Sequence, residues 1–267
     1  MPDSQIKTAR LLMIGDVVGD AGIEVIQRYL GSLITNYTAD FVVVNGENAA
    51  GGFGLTETTL QALLKAGADL VTSGNHIWEK RDFWPILETN PFVLRPGNYP
   101  GTLPGKGYIV LEKAGVHWCV INLQGREFMT AIDCPFRTLD RYLAGLEPSR
   151  KYLTVIDFHA ESPQEKEALA LYVDGRVGVI AGTHTHVQTA DQRILPKGTA
   201  YITDLGMTGV EESIIGMDKA ICLERNRTQI PLKMELAKGS AIIHGIIVEL
   251  DIESGLARSI ERLRYPC

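Results

Sequence analysis

The chain has 267 residues, with 26 Lys and Arg against 32 Asp and Glu, a formal charge of -6, six histidines and four cysteines. At 45% hydrophobic and 22% charged it has the composition of an ordinary globular protein, which excludes disorder, coiled coil and collagen. The acidic balance argues against extended nucleic-acid binding, since non-specific affinity grows with the Lys and Arg set on phosphates.

A chain of this size can bury about 70% of its unfolded surface, so its core needs no disulfides. No apolar run approaches the roughly 18 residues that cross a bilayer, so no membrane partner is expected. Met1-Pro2-Asp3-Ser4-Gln5 is polar and lacks the apolar stretch of a secretory signal. Residues 1–9 are therefore expected as a polar extension, and the cytoplasm as the location.

In chain order, Leu11 to Ile14 is a short apolar run ending in Gly15-Asp16-Val17-Val18. Ile23, Ile26, Leu30, Leu33 and Ile34 follow at helical spacing. Phe41 to Val44 ends in Asn45-Gly46-Glu47-Asn48, and after a Gly-rich loop Thr56 opens a helix carrying Leu60, Leu63 and Leu64, closed by Gly67. Asp69 to Ser73 ends in Gly74-Asn75-His76. Residues 91 to 107, rich in Pro and Gly, predict a long loop, and Tyr108–Leu111 with Trp118–Leu123 a β-hairpin around Ala114-Gly115. Leu153 to Phe158 ends in His159, with a helix expected over Pro163 to Val173. Val177 to Ala181 precedes Gly182-Thr183-His184-Thr185-His186, followed by strands around Ala200–Thr203 and over Ala241–Asp251. The basic stretch Arg258, Arg262, Arg264 around Glu261 predicts a solvated helix face. Cys119, Cys134, Cys222 and Cys267 form no metal or redox spacing, and Cys119 predicts core. Nothing divides the chain, so residues 1–267 are expected as one domain.

Apolar strands alternating with helices predict an α/β sheet, whose ligands bind beyond the carboxyl ends of the strands. Asp16, Glu47, Asn48, Asn75, His76, His159, His184 and His186 all fall there. Singly each has a plain alternative: Asp16 as a helix cap, Glu47 and Asn48 as turn residues, each His as a hydrogen-bonding group. Jointly they compose a mixed oxygen and nitrogen metal cage, with His184 and His186 on one side of an extended segment.

The ordered set Gly15-Asp16-Val17-Val18, Gly46-Glu47-Asn48, Gly74-Asn75-His76, His159 and Gly182-Thr183-His184-Thr185-His186 resembles the calcineurin-like metallophosphoesterases. Two departures, Val18 where that pattern has His and Glu47 where it has Asp, mark similarity to the bacterial stand-alone branch of 2',3'-cyclic-nucleotide phosphodiesterase-like proteins. The resemblance implies a β-sandwich flanked by helices, in four αββα layers. It also implies two metal ions bridged by Glu47, one held by Asp16, Asn48 and His186, the other by Asn75, His159 and His184. Asn48 then makes up for the His missing at position 18. A bridging hydroxide would attack phosphorus in line, with His76 as general acid to the leaving ribose oxygen; His76 as a phosphate-positioning donor is the alternative.

An amide oxygen in place of an imidazole hardens one site, and Fe or Mn is favoured. The expected substrate is a small phosphodiester, most of all a 2',3'-cyclic nucleotide. The rival is a metal-stabilised regulatory or scaffold protein with little turnover. Homo-oligomers are common among such enzymes, and this sequence leaves the oligomeric state open. Phe53 is a candidate for stacking a base, and Arg126 for pairing a phosphate or forming a structural salt bridge. Asp204 is expected behind the ligands rather than among them, and His117 and His244 as structural.

Overall fold

The apolar runs become strands buried on both faces. The computed structural model describes residues 7–267. In chain order the elements are β1 (Thr8–Ile14), β2 (Asp16–Val17), α1 (Gly19–Tyr37), β3 (Phe41–Asn45), α2 (Glu57–Ala66), β4 (Leu70–Thr72), α3 (Trp84–Thr89), β5 (Tyr108–Lys113), β6 (Val116–Gln124), α4 (Pro135–Ala144), β7 (Leu153–His159) and α5 (Pro163–Val173). They continue with β8 (Val179–Thr183), β9 (Arg193–Ile194), β10 (Ala200–Ile202), β11 (Met207–Val210), α6 (Lys219–Thr228), β12 (Ala241–Asp251) and β13 (Ala257–Pro266).

Among the described residues the strands form two sheets, ordered β2-β11-β12-β1-β3-β4, with β13 also on β12, and β5-β6-β7-β8-β10-β9. β1, β3 and β4 run parallel, as do β6, β7, β8 and β10.

Side chains alternate across a strand, so a strand apolar throughout needs cover on both sides. Leu11 and Met13 of β1 enter the layer between the sheets with Val43, Trp118, Val155 and Val248. Phe41 and Trp118 stack there at 4.8 Å. Leu12 and Ile14 point the other way, onto Ile26 and Leu30 of α1 and Leu60 and Leu63 of α2. On the second sheet Ile121, Ile156 and Ile180 meet Leu139 of α4 and Leu169 and Val173 of α5. These are the four αββα layers that the resemblance implied.

Local signals set several boundaries. Thr56 and Thr59 cap α2 reciprocally, each side chain bonding the other's backbone N–H at 3.2 and 2.9 Å, and Gly67 ends the helix. α5 and β12 span the expected residues.

Four readings change. Of the extension expected over residues 1–9, residues 1–6 lie outside the described residues, while Thr8 and Ala9 already belong to β1. The strand expected at Val177–Ala181 lies two residues later and runs directly into His184. α3, α4 and α6 are short helices that the pattern left unassigned. The basic stretch from Arg258 to Arg264 is strand β13, not a helix face. Its backbone pairs with β12 from Ala257 to Pro266, and Ala257 and Leu263 are buried while Arg258, Glu261, Arg262 and Arg264 face solvent. Charges on an edge strand block pairing with a further chain, which makes the strand as polar as a solvated helix.

Candidate metal centre

At the carboxyl ends of β3, β4, β6, β7 and β8 the layer between the sheets turns polar. Asp157 of β7, fully buried, accepts from Thr72 Oγ1 at 2.5 Å, Asn45 Nδ2 at 2.9 Å and Thr183 Oγ1 at 2.7 Å. Asn122 of β6 holds Ser73 in both directions, at 2.9 and 3.1 Å. This floor carries the next residues of each strand, and those are the polar residues singled out from the sequence.

The structure brings all of them together. His159 Nε2 lies 3.1 Å from Glu47 Oε1, 3.1 Å from Asn75 Oδ1 and 3.0 Å from His184 Nδ1. Ligand atoms of Glu47, His159 and His184 lie within 4.8 Å of one another. Alongside, His186 Nε2 is 3.0 Å from the Asn48 amide and 4.0 Å from Asp16 Oδ2, and the same Asn48 amide nitrogen is 3.1 Å from Glu47 Oε1. Val18, at the position without an imidazole, is buried and bridges Asn48 through the backbone. His76 sits at the rim with Nδ1 2.8 Å from Asn48 Oδ1 and its backbone N–H toward Glu47 Oε2 at 3.3 Å.

The outer nitrogens of the three imidazoles decide what the inner ones offer. Thr183 Oγ1 spends its proton on Asp157 and so accepts from His159 Nδ1 at 2.9 Å. Glu161 Oε2 faces His184 Nε2 at 3.1 Å, and the Ile215 carbonyl accepts from His186 Nδ1 at 2.8 Å. In its neutral, ligating form each ring thereby carries its proton on the outside and turns a lone pair inward. Burial, helped by His159, pushes the His184 imidazole down to about 3, and burial also lowers His186, so neither ring carries a charge near neutrality.

The carboxylates respond in opposite ways. Burial opposes ionisation of Glu47, but the His159 and His76 imidazoles beside it hold its carboxyl well below the usual range. Burial, then the charges of Glu47 and Asp204, raise the Asp16 carboxyl well above its ordinary 3.8. Asp16 Oδ2 accepts from His184 N at 2.9 Å, while buried Oδ1 has no partner among the described residues. Burial opposes the His76 imidazolium too, yet Glu47 raises it above 6.5.

Inward lone pairs, an unpartnered buried carboxylate oxygen and acceptors crowded around an unprotonated nitrogen repel one another unless a cation lies between them. The donor set fits metal ions. For Asn48 to ligate through oxygen beside His186 its amide must be reversed.

Gly74 makes the crowding possible. A Cβ there would stand 2.1 Å from Glu47 Oε2 and 2.2 Å from His159 Nε2, although its φ of -144° is open to any residue. Gly74→Ala is expected to keep the fold and weaken Mn2+ binding by about 10- to 100-fold, from displaced ligands. Metal titration beside circular dichroism checks this, and wild-type affinity would refute the steric argument.

Other expectations fall outside the cluster. The Arg126 backbone is held by Glu165 at 2.9 and 3.0 Å and its guanidinium lies 3.6 Å from Cys134 Sγ, with no carboxylate partner among the described residues. Phe53 packs its ring edge-to-face with His76 at 5.1 Å. His117 and His244 lie within β6 and β12. Thr183, Glu161, Asp157 and the Ile215 carbonyl are supporting groups that the sequence reading gave no role. A carboxylate inside the apolar run of β7 was the one available signal, for Asp157.

Residues 12–263 match the family described as YmdB-like protein. The chain is 45% identical over 254 residues to a Bacillus subtilis protein named 2',3'-cyclic-nucleotide 2'-phosphodiesterase, covering 95% of this chain and 96% of that one. A hypothetical protein of Thermus thermophilus superposes with a TM-score of 0.89 at 42% identity, over 96% of this chain and 99% of that one. A Mycoplasma pneumoniae structure described as a novel phosphatase does so with a TM-score of 0.92 at 32% identity, over 98% and 95%. With both its sequence and its fold matched over nearly their whole length, the chain belongs to the YmdB-like protein family.

Proposed function

We propose that this chain is a metal-dependent phosphodiesterase that opens small phosphodiesters, 2',3'-cyclic nucleotides foremost, at a centre where Asp16, Glu47, Asn48, Asn75, His159, His184 and His186 would hold two metal ions, Fe or Mn. The observation that carries the reading is the set of three imidazoles whose lone pairs converge with Asp16, Glu47, Asn48 and Asn75 on one buried space. The name of the 45% identical relative supports the substrate class. Among the described residues no helix is long and apolar enough to cross a membrane.

Metal ions bound there supply Lewis acidity toward the phosphoryl oxygens and lower the pKa of water. The residues do the rest. Asp16 and Glu47 bring two carboxylates that bound cations would hold ionised together. Thr183, Glu161 and the Ile215 carbonyl keep the imidazoles in one tautomer each. Asn48 anchors His76 at Nδ1 and leaves Nε2 to face the leaving oxygen, where an imidazole holds and delivers a proton near neutral pH.

The test is direct. Protein loaded with Mn2+ or Fe2+ should hydrolyse 2',3'-cyclic AMP and bis(p-nitrophenyl) phosphate, lose both activities to a chelator and regain them on reloading. Two bound ions with no turnover of either ester would overturn the enzyme reading in favour of a metal-stabilised scaffold.

A further inference from the structure

Lys166 of α5 is 1% exposed, and its Nζ donates to Asp204 Oδ2 at 2.7 Å inside the protein. Replacing a buried ion pair by apolar residues is often neutral or stabilising, so stability alone does not account for this one. The other contacts of Asp204 do. Its Oδ2 also accepts from Thr185 N at 3.1 Å, and its Oδ1 from Gly206 N at 2.9 Å.

Thr185 separates His184 from His186, and both histidines hold left-handed backbone, with φ of 103° and 65°. That region favours glycine, so two histidines stay there only if their surroundings compel it. Gly206, the second group gripped, accepts the Asp16 N–H on its carbonyl at 3.1 Å. One carboxylate thus ties down the segment that carries His184 and His186 and the turn whose carbonyl holds the Asp16 backbone. The lysine stem reaches it past Gly182, where a Cβ would stand 2.8 Å from Lys166 Cδ and 1.8 Å from Thr203 O. The glycine that opens Gly182-Thr183-His184-Thr185-His186 makes room first for the Thr203 carbonyl and then for the Lys166 stem.

We propose that Lys166 is a positioning residue, whose ammonium holds Asp204 so that it grips Thr185 and Gly206 and aims His184 and His186 into the metal centre. This rests on the metal reading given under Proposed function. Lys166 touches neither substrate nor ion; it acts through Asp204 alone.

Two variants test it, Lys166→Met and the double Lys166→Met with Asp204→Asn, each read by thermal melting, Mn2+ titration, the visible absorption of the Co2+-loaded protein and steady-state kinetics. Lys166→Met should fold, lose about 10-fold or more in Mn2+ affinity, shift the Co2+ spectrum, and lower kcat with KM near the wild-type value. The double variant restores charge balance and should melt near wild type. It should still bind metal as poorly as Lys166→Met, because one amide oxygen cannot serve two N–H groups on opposite sides. A pair that merely balances charge would instead be rescued by the double variant.

Wild-type Mn2+ affinity and Co2+ spectrum in either folded variant would overturn the proposal while leaving the metal reading intact. Failure of both variants to fold would assign the pair to the fold and overturn it too. Wild-type protein that binds neither Mn2+ nor Co2+ would overturn the metal reading itself, and the positioning role with it.

Discussion

Asp16→Asn is expected to strengthen the metal-free protein and abolish its hydrolysis. The carboxyl is fully buried, one oxygen has no partner among the described residues, and burial with the charges of Glu47 and Asp204 raises it well above 3.8. An asparagine keeps the shape and an acceptor for the His184 N–H without the charge. Removing an uncompensated buried charge should stabilise by about 1–2 kcal/mol, roughly 2–8 °C in Tm for a chain of this size.

The pH dependence follows from the raised value. The folded state holds the Asp16 proton more tightly than the unfolded chain, so its contribution to stability is full below pH 3.8 and is lost as pH rises through the folded value. The advantage of the variant over wild type should therefore widen from pH 4 toward neutrality. Melts of chelator-treated protein across that range check it. A variant that melts no higher than wild type at neutral pH would mean that Asp16 is satisfied without a cation. With metal supplied, loss of a buried charge interaction of about 4 kcal/mol should cost hydrolysis at least about 1,000-fold.

His76→Ala should separate two substrates. Its Nδ1 is anchored on Asn48, and its Nε2 has no protein partner among the described residues. If that nitrogen protonates the departing ribose oxygen, kcat for a 2',3'-cyclic nucleotide should fall about 100- to 10,000-fold. Bis(p-nitrophenyl) phosphate should be far less affected, because nitrophenolate leaves as a stable anion without a proton. Metal stoichiometry should stay at the wild-type value. Equal losses on both esters would make His76 a phosphate-positioning donor, and unchanged rates would remove it from the reaction.

The strand ends were legible because composition changes sharply there. Phe41 to Val44 is apolar throughout, and the chain turns to Asn45-Gly46-Glu47-Asn48 within one residue. β13 was illegible for the opposite reason: on this edge strand only Ala257 and Leu263 are buried, and most of the other side chains face solvent and carry Arg and Glu like a helix surface. Lys166 was hidden in the helical spacing of α5, where a lysine in the first turns ordinarily faces water.

From the sequence alone came the kinds of groups at the site and their order, since residue type dictates ligand chemistry and a buried parallel strand delivers its last polar residues to one edge. Which nitrogen of each imidazole is free came only with the tertiary structure. His159 depends on Thr183 and Asp157, His184 on Glu161, and His186 on a carbonyl 29 residues away. A tautomer is set by the hydrogen bond on the far side of the ring, and that partner is a neighbour in space rather than in the chain.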